Sequence, residues 1–353
     1  MLLSVVVPFY NSHAKSRRIM ATLRSLKADD VEVMLIDDGG NLEEAELLKV
    51  DEESLSIARQ LVRQRNAGPG GARNRGLSWC QGKYVWFVDS DDDFSPDAIA
   101  EVRALADKDY DFIDFVLSNK HGHDSTMGFP PGEFEMVRRG LLISKFGRLC
   151  TKVFRRDFLI ENRVFYPENC IFEDNALCLF MPLLVKRFYR SETIGYHHHV
   201  DASSVTRGSA LSPRYFDRLD TAEYGLARSF ALGAISETER AGILSKFSGY
   251  FLRVTLVGVR GRGGDALMVQ KVMKAYRDIM RDHDMAVAED QFEILLKTVH
   301  DVDERRIYRL LWDAADEMSD PKPYFARFRD ASWRRPINFR ETPMAAKKPA
   351  PAP

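Results

Sequence analysis

The stretch FVDSDDDFSP, residues 87–96, sets Asp89, Ser90, Asp91, Asp92 and Asp93 directly behind an apolar run. Like charges at that spacing repel one another. Ser95, Pro96 and Asp97 account for part of the stretch as a helix start, with Ser as cap, Pro in the first turn and a carboxylate at the positive helix end. Asp89 and Asp91 come before that cap. Carboxylates two apart, bracketing a small residue, can hold a hard divalent cation together with a substrate diphosphate. Mg2+ suits such a pair, because it keeps several waters and takes only one or two protein carboxylates.

Three further segments carry groups of the right type. NAGPGGARNRG (66–76) is neither a dinucleotide fingerprint, since Arg73 stands where the third glycine would fall, nor a P-loop. It reads either as a loop leading into a helix or as a close-approach segment in which Arg73 and Arg75 offer forked donors to phosphate or a base edge. Glu173 and Asp174 open a helical pattern; either Asp174 caps the helix or one of the two is a general base. In GYHHHVDASSVTRG (195–208), adjacent histidines on a strand point to opposite faces, so at most two converge. Arg207, with Ser204 and Thr206, is either a diphosphate contact or part of a solvated loop.

These groups need a scaffold that gathers them. LLSVVV (2–7), VEVMLI (31–36) and KYVWFV (83–88) are β-rich and nearly continuous in hydrophobicity, as strands buried on both faces of a parallel sheet are. AKSRRIMATLRSLK and GGARNRGLSWCQ between them have helical spacing, so an α/β sandwich with right-handed crossovers is predicted. The three runs end in PFYN, DDGGN and the Asp cluster. In open α/β sheets ligands bind beyond the carboxyl ends of the strands, which makes these ends one candidate crevice.

The 353 residues are 45% hydrophobic and 29% charged, enough for a sizeable core. A net charge of −1 gives no global field for nucleic acid. Cys80, Cys150, Cys170 and Cys178 form no CxxC pair, so reduced thiols in the cytoplasm are expected. No run of about 18 apolar residues is present, and the opening MLLSVVVPFY lacks the basic start and small-residue cleavage site of a secretory signal. The reading divides the chain into a catalytic domain at 1–205, a mostly helical region at 206–335, and a tail at 336–353 whose Pro/Ala/Lys composition cannot bury a core.

Taken in order, VVVPFYN, IDDGG, RNAGPGGARNRGL, GKYVWFVDSDD, CTKVFRRDFL, FEDN and YHHHVDASSVT resemble the family 2 glycosyltransferases of bacterial polysaccharide biosynthesis over residues 1–206. The resemblance implies the GT-A fold, a Rossmann-like, mostly parallel sheet flanked by helices, and an inverting sugar transfer from a nucleoside-diphosphate donor. It assigns Asp38 to the nucleobase with Pro8 and Tyr10 in the adjoining wall, and Arg73 to a position near base and phosphates. Asp89 and Asp91 match the DxD motif around Ser90, Asp91 as direct ligand of Mg2+ or Mn2+ and Asp89 nearer the donor ribose or sugar. Asp174 matches the catalytic base with Glu173 beside it, and Lys152 matches a lysine before a hydrophobic–aromatic pair. Gly40 stands where the family usually has Ser, and His197–His199 replace an aromatic–Arg pattern, so His199 takes the Arg's place at the diphosphate or approaches the metal. No QxxRW motif is found, which points to addition of a single sugar.

The implied donor is a uridine diphosphate sugar and the implied acceptor a glycan or lipid-linked hydroxyl. Residues 322–348 hold eight Lys/Arg interleaved with Tyr324, Phe325, Phe328, Trp333 and Phe339. That mixture suits either a packed terminal helix or peripheral contact with the inner face of an anionic membrane. The competing reading is a non-catalytic nucleotide-sugar-binding protein; Glu173 and Asp174 count against it.

Overall fold

A computed structural model describes residues 1–125, 127–135, 139–199, 213–260 and 266–317. Strands β1 (Leu3–Phe9), β2 (Val31–Asp37), β3 (Ala58–Arg63) and β4 (Tyr84–Phe87) are parallel neighbours in the order β3–β2–β1–β4. Helices α1 (Arg17–Ser25), α2 (Leu42–Glu53) and α3 (Gly68–Trp79) make the crossovers. The short β5 (Asp93–Phe94) and α4 (Pro96–Ala104) follow, then β6 (Phe112–Asn119), β7 (Gly122–Asp124), β8 (Gly132–Glu135), α5 (Arg139–Lys145), β9 (Lys152–Arg155), α6 (Arg156–Glu161), α7 (Glu173–Phe180) and β10 (Arg187–His197). The sheet continues from β4 through β9, β6 and β10 to β5, with β9 antiparallel to both its neighbours and β10 parallel to β6.

Side-chain alternation along the strands builds two cores. Val5, Val7, Val33 and Leu35 pack with Ile19, Met20 and Leu23 of α1, whereas Val6, Met34, Ile36 and Phe87 meet α3, α6 and α7 on the other face. β1 and β2 are buried along almost their whole length, which is why they read as continuous apolar runs. The Ser95 cap is present: its Oγ accepts the Asp97 N–H at 3.2 Å, with Pro96 in the first turn.

The described part of the C-terminal half is helical: α8 (Asp217–Ala231), α9 (Glu237–Ser248), a π-turn at Gly249–Val254, α10 (Thr255–Arg260), α11 (Ala266–Arg281), α12 (Met285–Lys297) and α13 (Val302–Asp313). Their core runs through Phe247, Phe251, Tyr276, Phe292 and Trp312, and it includes Ile143, Leu179 and Leu183 from the N-terminal half. The boundary read at 205/206 lies outside the described residues, as do Arg207 and the basic–aromatic stretch 322–348. Among the described residues no helix is long and apolar enough to cross a membrane.

Candidate active site

Because β2, β1 and β4 are adjacent and parallel, their carboxyl ends open side by side. The Asp38 N–H donates to Phe9 O at 2.8 Å, and the Ser12 and Ser90 hydroxyls meet at 2.8 Å, so the three predicted endings form one rim. Tyr10 is 50% exposed on it and Pro8 is half-buried. Asp38 is buried; its Oδ1 accepts Gln64 Nε2 at 2.7 Å and the Ala67 N–H at 2.8 Å, and burial raises its carboxyl above the usual range. Asp38 thus ties the end of β2 to the start of α3.

Gly40 has a local reason. Glu44 lies buried behind it and takes the backbone N–H groups of Asn11, Ser12 (2.6 Å) and His13 (2.9 Å). A Cβ on Gly40 would overlap the Glu44 carboxylate. Glu44 was missed from sequence, although Asn41-x-x-Glu44 has the spacing of a capping box. Asn41 does cap α2, accepting the Glu44 N–H at 2.7 Å, but the Glu44 side chain reaches to the β1 loop instead of back to its own cap.

The Asp cluster divides in two. Asp92 is 2% exposed and accepts the Tyr196 hydroxyl at 2.7 Å, the His199 N–H at 2.7 Å and His198 Nδ1 at 3.2 Å. Asp93 lies 2.8 Å from His199 Nε2 and 4.0 Å from His197 Nε2. These two acids fasten the end of β10, and all three histidine rings answer to them. The ring of His199, the residue assigned to the diphosphate or metal, lies against Asp93. Asp89, 40% exposed, and Asp91 remain at the crevice. Burial and the charges of Asp89 and Asp92 push Asp91 up to about 6.

That crowding is the test of fit for a divalent cation. Anionic oxygens held against one another favour any cation that relieves them, so Asp91 with Asp89 suits the Mg2+ or Mn2+ that the family implies. Among the described residues no group of three or more His, Cys, Asp or Glu could hold a metal, so the remaining ligands would be waters and substrate oxygens.

Arg73 joins the two acidic motifs. Its Nη2 is 2.7 Å from Asp89 Oδ1, its Nη1 pairs with Glu173 Oε1, and its guanidinium lies 5.3 Å from the Tyr166 ring centroid. Burial alone would lower the Arg73 pKa, but Glu173 and Asp89 hold it well above the usual arginine value. Glu173 is raised to about 7, by burial first and against the pull of Arg73; Asp174 is raised by burial and then by Asp89, again against Arg73. Asp174 does not cap α7: Phe172 holds the cap position in the left-handed region, φ 65°, and both acids lie in the first turn.

The glycine-rich segment approaches its own chain. Gly68 (φ 77°) starts α3, and a Cβ there would lie 3.0 Å from Cys170 O; one on Gly70 would overlap Pro167 O. Asn74 accepts the Tyr166 N–H and donates to Tyr166 O, both at 2.9 Å. The glycines therefore dock α3 on the segment that runs into Glu173. Lys152, the lysine before the hydrophobic–aromatic pair and counted with the donor-binding residues from sequence, is instead 0% exposed, with Nζ bonded to Asp114 Oδ1 at 2.9 Å and Gly147 O at 2.6 Å. Its ammonium holds the floor of the sheet together.

Residues 4–163 match the family model described as Glycosyl transferase family 2. Over this part the chain is similar to family 2 of the glycosyltransferases, and its fold is the GT-A fold. It is 36% identical over 221 residues to an uncharacterized glycosyltransferase, YibD, of Escherichia coli K12, covering 58% of this chain and 63% of that protein, so the match spans under two thirds of that relative. It is 25% identical over 214 residues to the GalNAc(5)-diNAcBac-PP-undecaprenol beta-1,3-glucosyltransferase of Campylobacter jejuni, covering 59% and 68% of the two chains. Staphylococcus aureus TarS 1–349, solved in complex with UDP-GlcNAc, has a similar structure, with TM-score 0.64 at 20% identity over 90% of this chain and 92% of that one.

Proposed function

We propose that the chain is an inverting glycosyltransferase that moves a single sugar from a uridine diphosphate donor to a hydroxyl of a glycan or lipid-linked acceptor in cell-surface polysaccharide synthesis. The observation that carries this reading is Arg73. It brings Asp89 of the strand-end cluster and Glu173 of the helical pair, residues far apart in sequence, against one guanidinium. The UDP-GlcNAc complex of TarS supports a uridine donor, and the undecaprenol-linked substrate in the name of the Campylobacter relative supports a lipid-linked acceptor.

Asp91 with Asp89 would hold the divalent cation, which supplies charge neutralisation for the departing diphosphate. Arg73 keeps Asp89 in place and adds fixed positive charge between the two acid motifs. Asp174, without an ion-pair partner among the described residues, takes the acceptor proton. The acceptor oxygen forms its bond to the anomeric carbon as the bond to the diphosphate oxygen breaks on the opposite face, which inverts configuration. Peripheral membrane contact through residues 322–348 belongs to the same reading.

Calorimetric titration of UDP and GDP, each with and without Mn2+, into the protein and an Asp91→Ala variant tests this. UDP binding strengthened by Mn2+, and weakened about tenfold or more in the variant, is the expected result. Binding of neither nucleotide to the folded protein defeats the reading. Binding without turnover by any sugar donor leaves a nucleotide-sugar-binding protein in its place.

A further inference from the structure

The acid pair is presented by an awkward turn. Phe172 holds φ 65° and ψ 27° immediately before Glu173 and Asp174. A bulky L-residue in the left-handed region is a steric outlier, and it persists only where its surroundings over-determine it. The surroundings come from the C-terminal helical region. The Arg218 guanidinium carbon lies 4.0 Å from the Phe172 ring centroid and 4.0 Å from that of Tyr215, so the charge sits in the corner between two rings whose planes cross at 81°. Arg218 Nε donates to Tyr215 O at 3.1 Å, which holds the guanidinium in that corner. One residue earlier, Asp217 Oδ2 accepts the Ile171 N–H at 3.1 Å. Further along, Gly225 lets α8 close on α7: a Cβ there would lie 2.6 Å from Ala176 O.

The geometry points to Asp217 and Arg218 as positioning residues for Glu173 and Asp174. The first turn of α8 fixes the left-handed turn from which the acid pair projects, so the helical region is part of the machinery that aims the base. This inference rests on the reading of Asp174 as the base and Glu173 as its Arg73-held neighbour. Neither Asp217 nor Arg218 touches substrate in it. They act through the backbone of 171–172.

The test uses the full chain with Asp217→Ala, Arg218→Leu, Phe172→Gly and the Phe172→Gly/Arg218→Leu double variant. Hydrogen exchange is followed across amides 170–176, beside UDP calorimetry and steady-state turnover with whichever donor supports it. Asp217→Ala and Arg218→Leu should speed exchange at 171–175 by about tenfold or more while exchange in β1 and β2 is unchanged. kcat should fall about 10–100-fold with donor KM and UDP affinity unchanged, since misaiming a base damages the chemical step and leaves donor binding alone. Glycine adopts the left-handed turn without steric penalty, so in the Phe172→Gly background Arg218→Leu should lose most of its effect on kcat. A merely structural arginine would lower turnover equally in both backgrounds.

Unchanged exchange at 171–175 in folded variants overturns the inference, and so does a kcat loss matched by a loss of UDP affinity. Should Arg218→Leu fail to fold, Asp217→Ala carries the same readouts. A wild-type protein that transfers no sugar, yet shows the exchange response, sinks the transferase reading while the brace stands.

Discussion

In the first turn of α7, Glu173 answers the charge of Arg73, whereas Asp174 has no ion-pair partner among the described residues. Replacing Asp174 with Asn should therefore lower turnover about 10²–10⁴-fold, the usual contribution of a positioned base, with UDP affinity retained by calorimetry. A base works ionised, and burial raises Asp174 above the usual 3.8, so rate should be lost on acidification at a pH above the ordinary carboxylate range. Stability runs the other way. Glu173 holds its proton more tightly when folded, at about 7 against the usual 4.5. Its contribution is complete below 4.5 and is lost as pH rises through about 7; thermal melts should show that decline, flattened in Glu173→Gln. The sequence singled out Asp89, Asp91, Arg73 and the acid pair by residue type and place. It could not show that Arg73 grips both motifs, because that contact spans 100 residues and exists only after folding.

α3 shows what glycine spacing encodes. The helix is amphipathic in size more than in polarity: Gly70 faces Pro167 O, and Gly76 faces Val6, with no room for a Cβ at either. Gly70→Ala should destabilise the protein by about 1–3 kcal/mol, read from the denaturant midpoint, because backbone on the far side cannot yield as a side-chain tip can. The same change should reduce turnover, since the displaced segment leads to Glu173. The three parallel strands with their crossovers were legible because β1, β2 and β4 are buried on both faces and read as apolar runs. β3 was not, since most of its residues are only half-buried and the apolar signal is diluted. Nor was β9, and for β10 only its histidine end was read as strand; the places of both in the sheet are set by pairing across the fold and by no local period.

Across the molecule, the helical half does not stand off from the sheet. Its core takes in Ile143, Leu179 and Leu183, and Lys246 of α9 donates to Ile143 O at 2.7 Å at the end of α5. Continuous burial of this kind argues for cooperative loss of both halves, so chemical denaturation should show one transition by fluorescence and circular dichroism alike. Gly225→Ala, which would press a Cβ to 2.6 Å from Ala176 O and 2.7 Å from Leu179 Cδ1, should move that single midpoint and leave no intermediate. The composition change near residue 206 was readable as a switch to helix. The docking of α8 on α7 was not, because glycine at 225 carries meaning only against the carbonyl it meets.

The carboxylate of Glu44, seated on the amides of residues 11–13, has one more consequence. Those three N–H groups form the kind of concave nest that elsewhere receives phosphate. Here the chain supplies its own anion, so the nest is saturated before any substrate arrives. The loop beside Tyr10 is consequently tied to α2 by three backbone hydrogen bonds. On the proposed reading of Tyr10 as part of the donor wall, conformational freedom that the loop would otherwise surrender on meeting a nucleotide is given up during folding, so encounter there should be closer to lock-and-key than to moulding.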